Sequence, residues 1–212
     1  TCYIGDWSPL AKLLISGPDA LRFLSDFTVN GYARFDIGQA KHIIMCNDQG
    51  QIMGEGILMR LAEDRFLVTS GPGVPWLHYQ FERGSYDASI QAISADQFIF
   101  QIQGPNALFV VEDVVRESVR DIGFMRFRRA TIDGVGVDVL RQGMAGEIGY
   151  ELHGPAEHGV AIYNRFLEAG AKWGIRRLGG RSKPVNHVEA CFPTPSVDYI
   201  PAIFGEDQKD YL

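Results

Sequence analysis

The chain has 212 residues, of which 46% are hydrophobic and 22% charged, with a formal net charge of −6. This is the composition of an ordinary globular protein, long enough for one large or two small domains. The acidic balance argues against a nucleic-acid partner. No apolar run approaches the roughly 18 residues of a membrane span, so we expect no membrane partner either.

The cysteines and histidines bear on the cellular compartment and on metal binding. Three cysteines are scattered without a C-x-x-C pair, at Cys2, Cys46 and Cys191. This pattern favours a reducing compartment, and we expect the cytoplasm. The five histidines stand in no metal-ligand spacing, so we predict no metal site: His42, His78, His153, His158 and His187.

The first half of the chain alternates strand and helix signals. Gly17-Pro18-Asp19 predicts a turn into a helix, with Pro18 in its first turn and Asp19 favouring its positive end. Asp48-Gln49-Gly50 predicts a hairpin turn. The predicted strands are 10–16, 41–47, 51–61 and 65–70, and the predicted helices are 21–27 and 74–83.

The second half opens on the same motif. Ile15-Ser16-Gly17-Pro18-Asp19-Ala20-Leu21 returns as Ile102-Gln103-Gly104-Pro105-Asn106-Ala107-Leu108, an offset of 87 residues. This indicates a duplicated β–α unit that opens two similar subdomains. Two independent turns built from common turn residues are the alternative. Further predicted elements are a strand at 98–103, a hairpin over 131–142 and a helix at 156–170.

The segment 137–155 carries the strongest site signal. It predicts two strands separated by Gly143, Gly146 and Gly149, glycines that suit positive φ or the close approach of another group. Glu151 follows, and strand alternation puts it on the face opposite Tyr150. Such an acid either faces solvent or is committed to a partner, since unpaired acids are rarely buried.

The residues R-Q-G-M-A-G-E-I-G-Y-E-L at 141–152 resemble the R-T-G-Y-T-G-E-D-G-F-E-I signature of the aminomethyltransferase (glycine cleavage T-protein) family. Members of this family transfer one-carbon units to tetrahydrofolate. The G-M-A-G turn is most similar to the same segment of the family's tetrahydrofolate-dependent O-demethylases. The resemblance implies that Glu151 holds the pterin ring, because a carboxylate accepts two parallel N–H bonds. It further implies folate contacts from Gln103, Arg141, Met144 and Tyr150.

Glu55 stands between Gly54 and Gly56, which either clear room for a ligand or mark a bulge. Under the resemblance it falls where the T-protein has an aspartate near the reacting nitrogen of folate, and where the O-demethylases have G-D-G. We therefore expect Glu55 to be a catalytic and folate-binding acid. His42, on the neighbouring predicted strand, is a candidate proton carrier, and a core or surface histidine is the alternative.

Substrate contacts are expected at Ser70, Arg181 and Lys183. The O-demethylases of aromatic acids have an arginine near Ser70 that is missing here. Five cations and no acid lie between Lys172 and Lys183, forming either a basic surface loop or a cradle for the folate tail or an acidic substrate. Lys183 falls where the T-protein has an arginine and the O-demethylases have a tyrosine.

These signals combine into an α+β fold of two similar subdomains with antiparallel or mixed sheets and short helices, at 1–95 and 96–190. The resemblance implies a further C-terminal β-barrel domain in family members, so we expect the chain to be either a natural short form or a fragment, with 191–212 as an extension or a linker to the missing domain. The expected function is tetrahydrofolate-dependent demethylation of a small methylated (methoxy) donor, giving 5-methyltetrahydrofolate. The alternatives are aminomethyl transfer from a lipoyl carrier protein and a folate-binding scaffold without catalysis.

Overall fold

The computed structural model describes residues 1–195 and 197–205, which form an α+β fold in two compact units. One unit combines 1–9 with 95–194, and the other combines 10–94 with the described residues that follow Thr194. The strands are β1 (Cys2–Asp6), β2 (Ala11–Ser16), β3 (Ala40–Cys46), β4 (Ile52–Ala62), β5 (Arg65–Ser70), β6 (Ser89–Ala92), β7 (Gln97–Gln103), β8 (Phe127–Ile132), β9 (Val135–Leu140), β10 (Gly149–Pro155) and β11 (Ile175–Arg177). The α-helices are α1 (Ala20–Phe27), α2 (Gly73–Arg83), α3 (Ala107–Val115), α4 (Gly159–Gly170) and α5 (Lys183–Glu189).

The unit built on 10–94 has an antiparallel sheet in the order β3-β4-β5-β2-β6. Alternation along β2 turns Leu13 and Ile15 into a core that α1 completes with Phe23 and Leu24. All four side chains are fully buried, and each contributes about 1.5–3 kcal/mol of hydrophobic free energy.

The unit built on 95–194 has a mixed sheet in the order β11-β1-β7-β10-β9-β8, in which only β1 and β11 run parallel among the pairs described. Its apolar core lies on one face, where Ile4, Ile102 and Leu152 pack with α3 and α4. No helix in the described part of the chain is long and apolar enough to cross a membrane.

The strand–turn–helix motif occurs once in each unit, as the sequence repeat predicts. Gly17 after β2 has a φ of 131°, and Gly104 after β7 has a φ of 120°. A Cβ on Gly17 would lie 2.7 Å from the Cα of Ala88, and one on Gly104 would lie 2.9 Å from the Cα of Cys2. Both positions therefore require glycine for the same two reasons, a positive φ and a neighbouring backbone.

The unit boundaries differ from those expected at 95/96 and 190/191. β1 belongs with the second unit because it pairs with β7 and β11, while residues 195 and 197–205 belong with the first. The expected helix at 156–170 begins with a 3-10 turn, and α4 itself starts at Gly159. Residues 196 and 206–212 of the expected extension lie outside the described residues.

Candidate functional site

A polar face covers the central strands of the mixed sheet, opposite the apolar core. Strand register places Glu151 beside Gln101, and Gln103 beside Tyr3. Side chains of register partners point to the same side of a sheet, and residues two apart along a strand share a face. Glu151, Gln101, Gln103 and Tyr3 therefore form one polar face, and His153 extends it by one further position.

Glu151 is the centre of this polar face and is only 7% exposed. Gln142 donates from Nε2 to its Oε1 at 2.6 Å, and the Nε2 of His153 lies 3.4 Å from its Oε2. No Arg or Lys of the described chain forms an ion pair with it. This excludes the alternative of a solvated acid, and leaves a buried carboxylate held only by a neutral amide and an imidazole.

Gln103 joins the polar face to the glycine-rich loop. Its Oε1 accepts hydrogen bonds from Tyr3 Oη at 2.8 Å and from the Met144 amide at 3.1 Å, and its Nε2 donates to the Glu147 carbonyl. A Cβ on Gly143 would lie 2.7 Å from Gln103 Nε2. Gly143 therefore allows the close approach of a protein side chain, and Gln103 contacts the backbone of Met144.

Several polar atoms of this face are buried without a protein partner. Within the described chain these include Gln101 Nε2 and His153 Nδ1. Gln101 Oε1, by contrast, accepts from Trp7 Nε1 at 3.2 Å. Buried polar atoms normally find partners, so the unsatisfied Gln101 amide beside an acid is a candidate contact for a polar ligand.

Sequence reasoning missed Gln101, Gln142 and His153 as members of this cluster. A signal was present for Gln101, since Gln101 and Gln103 alternate within the otherwise apolar run F-I-F-Q-I-Q. Gln142 and His153 carried no such signal, because they join the cluster through strand pairing and loop closure.

Tyr3 was also missed, and its pKa depends on the other residues of the cluster. Burial raises the pKa of its phenol to about 12, a hydrogen bond with Asn186 lowers it, and the negative charge of Glu151 raises it. Tyr3 is therefore a neutral hydrogen-bond donor at physiological pH.

Two residues expected to contact folate lie elsewhere. Tyr150 is 1% exposed and packs in the apolar core, on the opposite face of β10 from Glu151. Arg141 donates from Nη1 to the Ile122 carbonyl at 3.1 Å. Burial raises the pKa of the Tyr150 phenol, and the charge of Arg141 lowers it. The structure does not bring either to the Glu151 carboxylate.

The two expected cationic residues differ in setting. Lys183 is half-buried at the start of α5, with its Nζ 4.7 Å from the ring centroid of Trp7, whereas Arg181 is exposed. Lys172, in the same basic run, pairs with Asp113 at 2.9 Å. Lys183 thus lies near the polar face, because Trp7 contacts both Lys183 and Gln101. Arg181 and Lys172 lie on the surface.

The unit built on 10–94 brings Glu55 and His42 together. Glu55 pairs with Ile44 in the β3–β4 register, which places His42 diagonally across on the same face. His42 Nε2 lies 3.2 Å from Glu55 Oε2, with side-chain exposures of 34% and 14%. The nearby Tyr199 phenol has its pKa raised, first by burial and then by the charge of Glu55.

The glycines that flank Glu55 make room for backbone rather than for a ligand. A Cβ on Gly54 would lie 2.6 Å from the Gly73 nitrogen, and one on Gly56 would collide with the Thr69 carbonyl oxygen. The register shift of this hairpin lies between Met45 and Cys46, next to Gly54 and not at Glu55. The bulge expected of this glycine pair is therefore present beside Gly54, and the space at both glycines is taken by backbone.

Ser70 already has two backbone partners. Its Oγ donates to the Glu55 carbonyl at 2.6 Å and accepts from the Gly73 amide at 3.1 Å, and the residue is 3% exposed. Its hydroxyl thus fixes the strand that carries Glu55.

No group of three or more His, Cys, Asp or Glu residues in the described chain could hold a metal ion.

Comparison with known proteins identifies the family. The chain is 36% identical over 204 residues to the sesamin methylene transferase of Sinomonas sp. (strain No.22), covering 94% of this chain and 44% of that protein. It is 32% identical to the syringate O-demethylase of Sphingobium sp. (strain NBRC 103272 / SYK-6), covering 95% and 46%. The chain therefore spans about half the length of these curated relatives.

The fold is also that of a solved structure, the glycine cleavage system aminomethyltransferase T from Bartonella henselae. The TM-score is 0.81 at 23% identity, over 94% of this chain and 54% of that one. The model of the GCVT N-terminal domain family matches residues 1–203. The chain belongs to the GCVT N-terminal domain family.

Proposed function

We propose that this chain is the folate-binding part of a tetrahydrofolate-dependent one-carbon transferase that demethylates a small methylated donor to give 5-methyltetrahydrofolate. The observation that carries the proposal is the buried Glu151 carboxylate, which has no Lys or Arg partner among the described residues and lies beside the unsatisfied Gln101 amide. Two relatives support the reaction class, since one is named a methylene transferase and the other an O-demethylase.

The residues present fit the pterin ring. An ionised carboxylate offers about four lone-pair positions, and Gln142 and His153 use two of them, which leaves room for two further donors. The 2-amino-pyrimidinone edge of the pterin has two parallel N–H donors next to a carbonyl acceptor. Glu151 would accept from the donors, and the unsatisfied Gln101 Nε2 would donate to the carbonyl.

The chemistry of the bound group is that N5 of tetrahydrofolate accepts the carbon. When a methyl group moves from an ether oxygen to N5, the N5 proton must leave and the oxygen must gain one. We propose Glu55 as the acid that stabilises positive charge at N5 and His42 as the proton carrier. Their 3.2 Å contact supports proton exchange between these two side chains.

Further parts of the proposal concern substrate and location. Lys183 and Arg181 are proposed to attract an anionic group of the donor or of the folate tail. All three cysteines are free thiols, which supports a reducing compartment such as the cytoplasm.

The test is calorimetric titration of the chain with tetrahydrofolate under anaerobic conditions. Glu151→Gln preserves volume but removes the charge and one acceptor, so affinity should fall about ten- to a hundredfold. Glu157→Gln, an exposed glutamate on the same unit, is the matched control and should bind like wild type. Equal binding by folded Glu151→Gln contradicts the assignment.

A mass-spectrometric screen of methoxylated and other methylated compounds, with tetrahydrofolate supplied, tests the reaction. Loss of a methyl group from a compound, matched by formation of 5-methyltetrahydrofolate, identifies the donor. Folate binding without any transfer favours the scaffold alternative. Transfer only from an aminomethylated lipoyl carrier favours the aminomethyltransferase alternative.

A further inference from the structure

His153 is a buried titratable residue that the proposed reaction leaves without a role. It follows Glu151 by two positions on β10 and is 1% exposed. Its Nε2 lies 3.4 Å from Glu151 Oε2, while its Nδ1 has no partner among the described residues. Its register partners are Ile99 on β7 and Asp138 on β9, and Asp138 pairs with Arg129 at 3.3 Å.

The surroundings determine which ring nitrogen carries the proton. An ionised carboxylate can only accept hydrogen bonds, so the ring must donate through Nε2. Nδ1 is then a bare lone pair. The opposite tautomer would set the Nε2 lone pair against a carboxylate oxygen and leave a buried N–H unpaired, which is costly.

We propose that His153 is a positioning residue that fixes the second oxygen of Glu151, as Gln142 fixes the first. The proposal rests on the proposed role of Glu151 in holding folate. Each helper places one nitrogen within hydrogen-bond distance of one carboxylate oxygen, so together they fix the orientation of the carboxylate. The remaining lone pairs are thereby aimed before the ligand arrives, which lowers the ordering cost of binding.

Two near-isosteric variants isolate the donor. The amide nitrogen of His153→Gln can reach the position of Nε2, whereas His153→Met fills similar volume without a donor. We expect His153→Gln to bind tetrahydrofolate with an affinity within about twofold of wild type. His153→Met should bind it about three- to tenfold more weakly. The smaller loss is expected if the 3.4 Å contact is a weak hydrogen bond. Equal affinities for the two folded variants would mean packing alone and overturn the proposal.

Matched controls are His158→Gln and His158→Met, at an exposed histidine on the same unit. Both should leave folate affinity unchanged. Thermal unfolding of each variant, measured alongside, separates loss of affinity from loss of folded protein.

A second measurement does not depend on folate. Long-range ¹⁵N–¹H correlation spectra of the wild-type chain report the tautomer of each histidine, and His153→Gln assigns the signal by its loss. The proposal requires a protonated Nε2 and a bare Nδ1, and the reverse tautomer overturns it even if folate binds. Absence of folate binding by wild type overturns the proposed function and the ligand half of this inference, while the tautomer still decides the Glu151 contact.

Discussion

Gln142 Nε2 donates to Glu151 Oε1 at 2.6 Å, which makes a neutral amide the closest polar neighbour of the buried carboxylate. Replacing that amide with an acid reverses the interaction. In Gln142→Glu two carboxylates meet at hydrogen-bond distance, which raises the pKa at which the pair takes up a proton, and at pH 8 the ionised pair lacks the donor that orients Glu151. We expect the affinity for tetrahydrofolate to fall at least about tenfold at pH 8, because that is the free-energy contribution of a hydrogen bond to a charged group.

The same variant should regain affinity as the pH is lowered, because a pair that shares one proton again presents one donor and one negative charge. Calorimetric titrations at pH 8 and near pH 5.5 check this. Gln91→Glu, at an exposed position on β6, should show the wild-type affinity at both values. A Gln142→Glu affinity that does not change with pH, relative to wild type, would argue against a shared proton.

Glu55→Gln should harm transfer more than binding. Positive charge develops at N5 only as the methyl group arrives, so a carboxylate helps in the transition state and an amide does not. We expect kcat to fall about ten- to a thousandfold while KM for folate changes little. The Ser70 bond to the Glu55 carbonyl involves backbone and should survive the change.

Steady-state kinetics with a donor from the screen, on a form of the protein that turns over, measures this effect. Glu157→Gln serves again as the control. If folate affinity collapses while kcat holds, Glu55 is a binding residue and the transfer step lacks a named acid.

Gly17→Ala and Gly104→Ala should each destabilise the fold. Both residues have positive φ, and a Cβ at either would lie within 3 Å of a neighbouring Cα. Backbone strain of this kind costs about 1–3 kcal/mol, before the clash is counted. Urea unfolding measures the loss. Gly31→Ala, where a Cβ meets nothing within 4 Å, should change the free energy of unfolding by less than about 0.5 kcal/mol.

Asp19 makes the stability of the fold depend on pH in the acidic range. A hydrogen bond from Arg22 at 2.7 Å, and a second from the Asp87 amide, lower the pKa of its carboxyl to about 2. A lowered pKa stabilises the protein above the ordinary value of 3.8, and that stabilisation is lost as the pH falls through about 2. Asp19→Asn should therefore lower the melting temperature at pH 7.

The difference between Asp19→Asn and wild type should shrink as the pH is lowered from about 4 towards 2. Thermal melts over that range check it. Asp48→Asn, in an exposed hairpin turn, is the control. A deficit that stays constant down to pH 2 would mean that the charge of Asp19 is not its source.

The sequence predicts the repeated motif because its signals are local. Gly17 and Gly104 each end a strand and precede a helix, and a turn residue can be recognised without its surroundings. Asp19 shows the limit of such rules: it occupies the N-cap of α1 as expected, but its carboxylate binds Arg22 and the Asp87 amide and makes no side-chain cap bond. The second partner is far along the chain and becomes visible only in the fold.

The candidate site divides in the same way. Glu151 follows from motif and alternation, whereas Gln142 reaches it through a loop and Gln101 through strand register. The crowding at the glycines beside Glu55 could not be predicted, because it comes from Gly73 and Thr69, which are distant in sequence. Contacts made by tertiary pairing have no local period, so pattern reasoning cannot find them.

The placement of β1 has a consequence for how the chain assembles. β2 to β6 lie within 11–92, so their sheet needs no residue beyond that stretch, whereas β1 must wait for β7 and β11. Joining β1 to β11 closes a loop of more than 160 residues, an entropic cost that slows its docking. Pulse-labelled hydrogen exchange should protect amides of β2 and β5 before those of β1, so β1 would become ordered after strands that follow it in the chain.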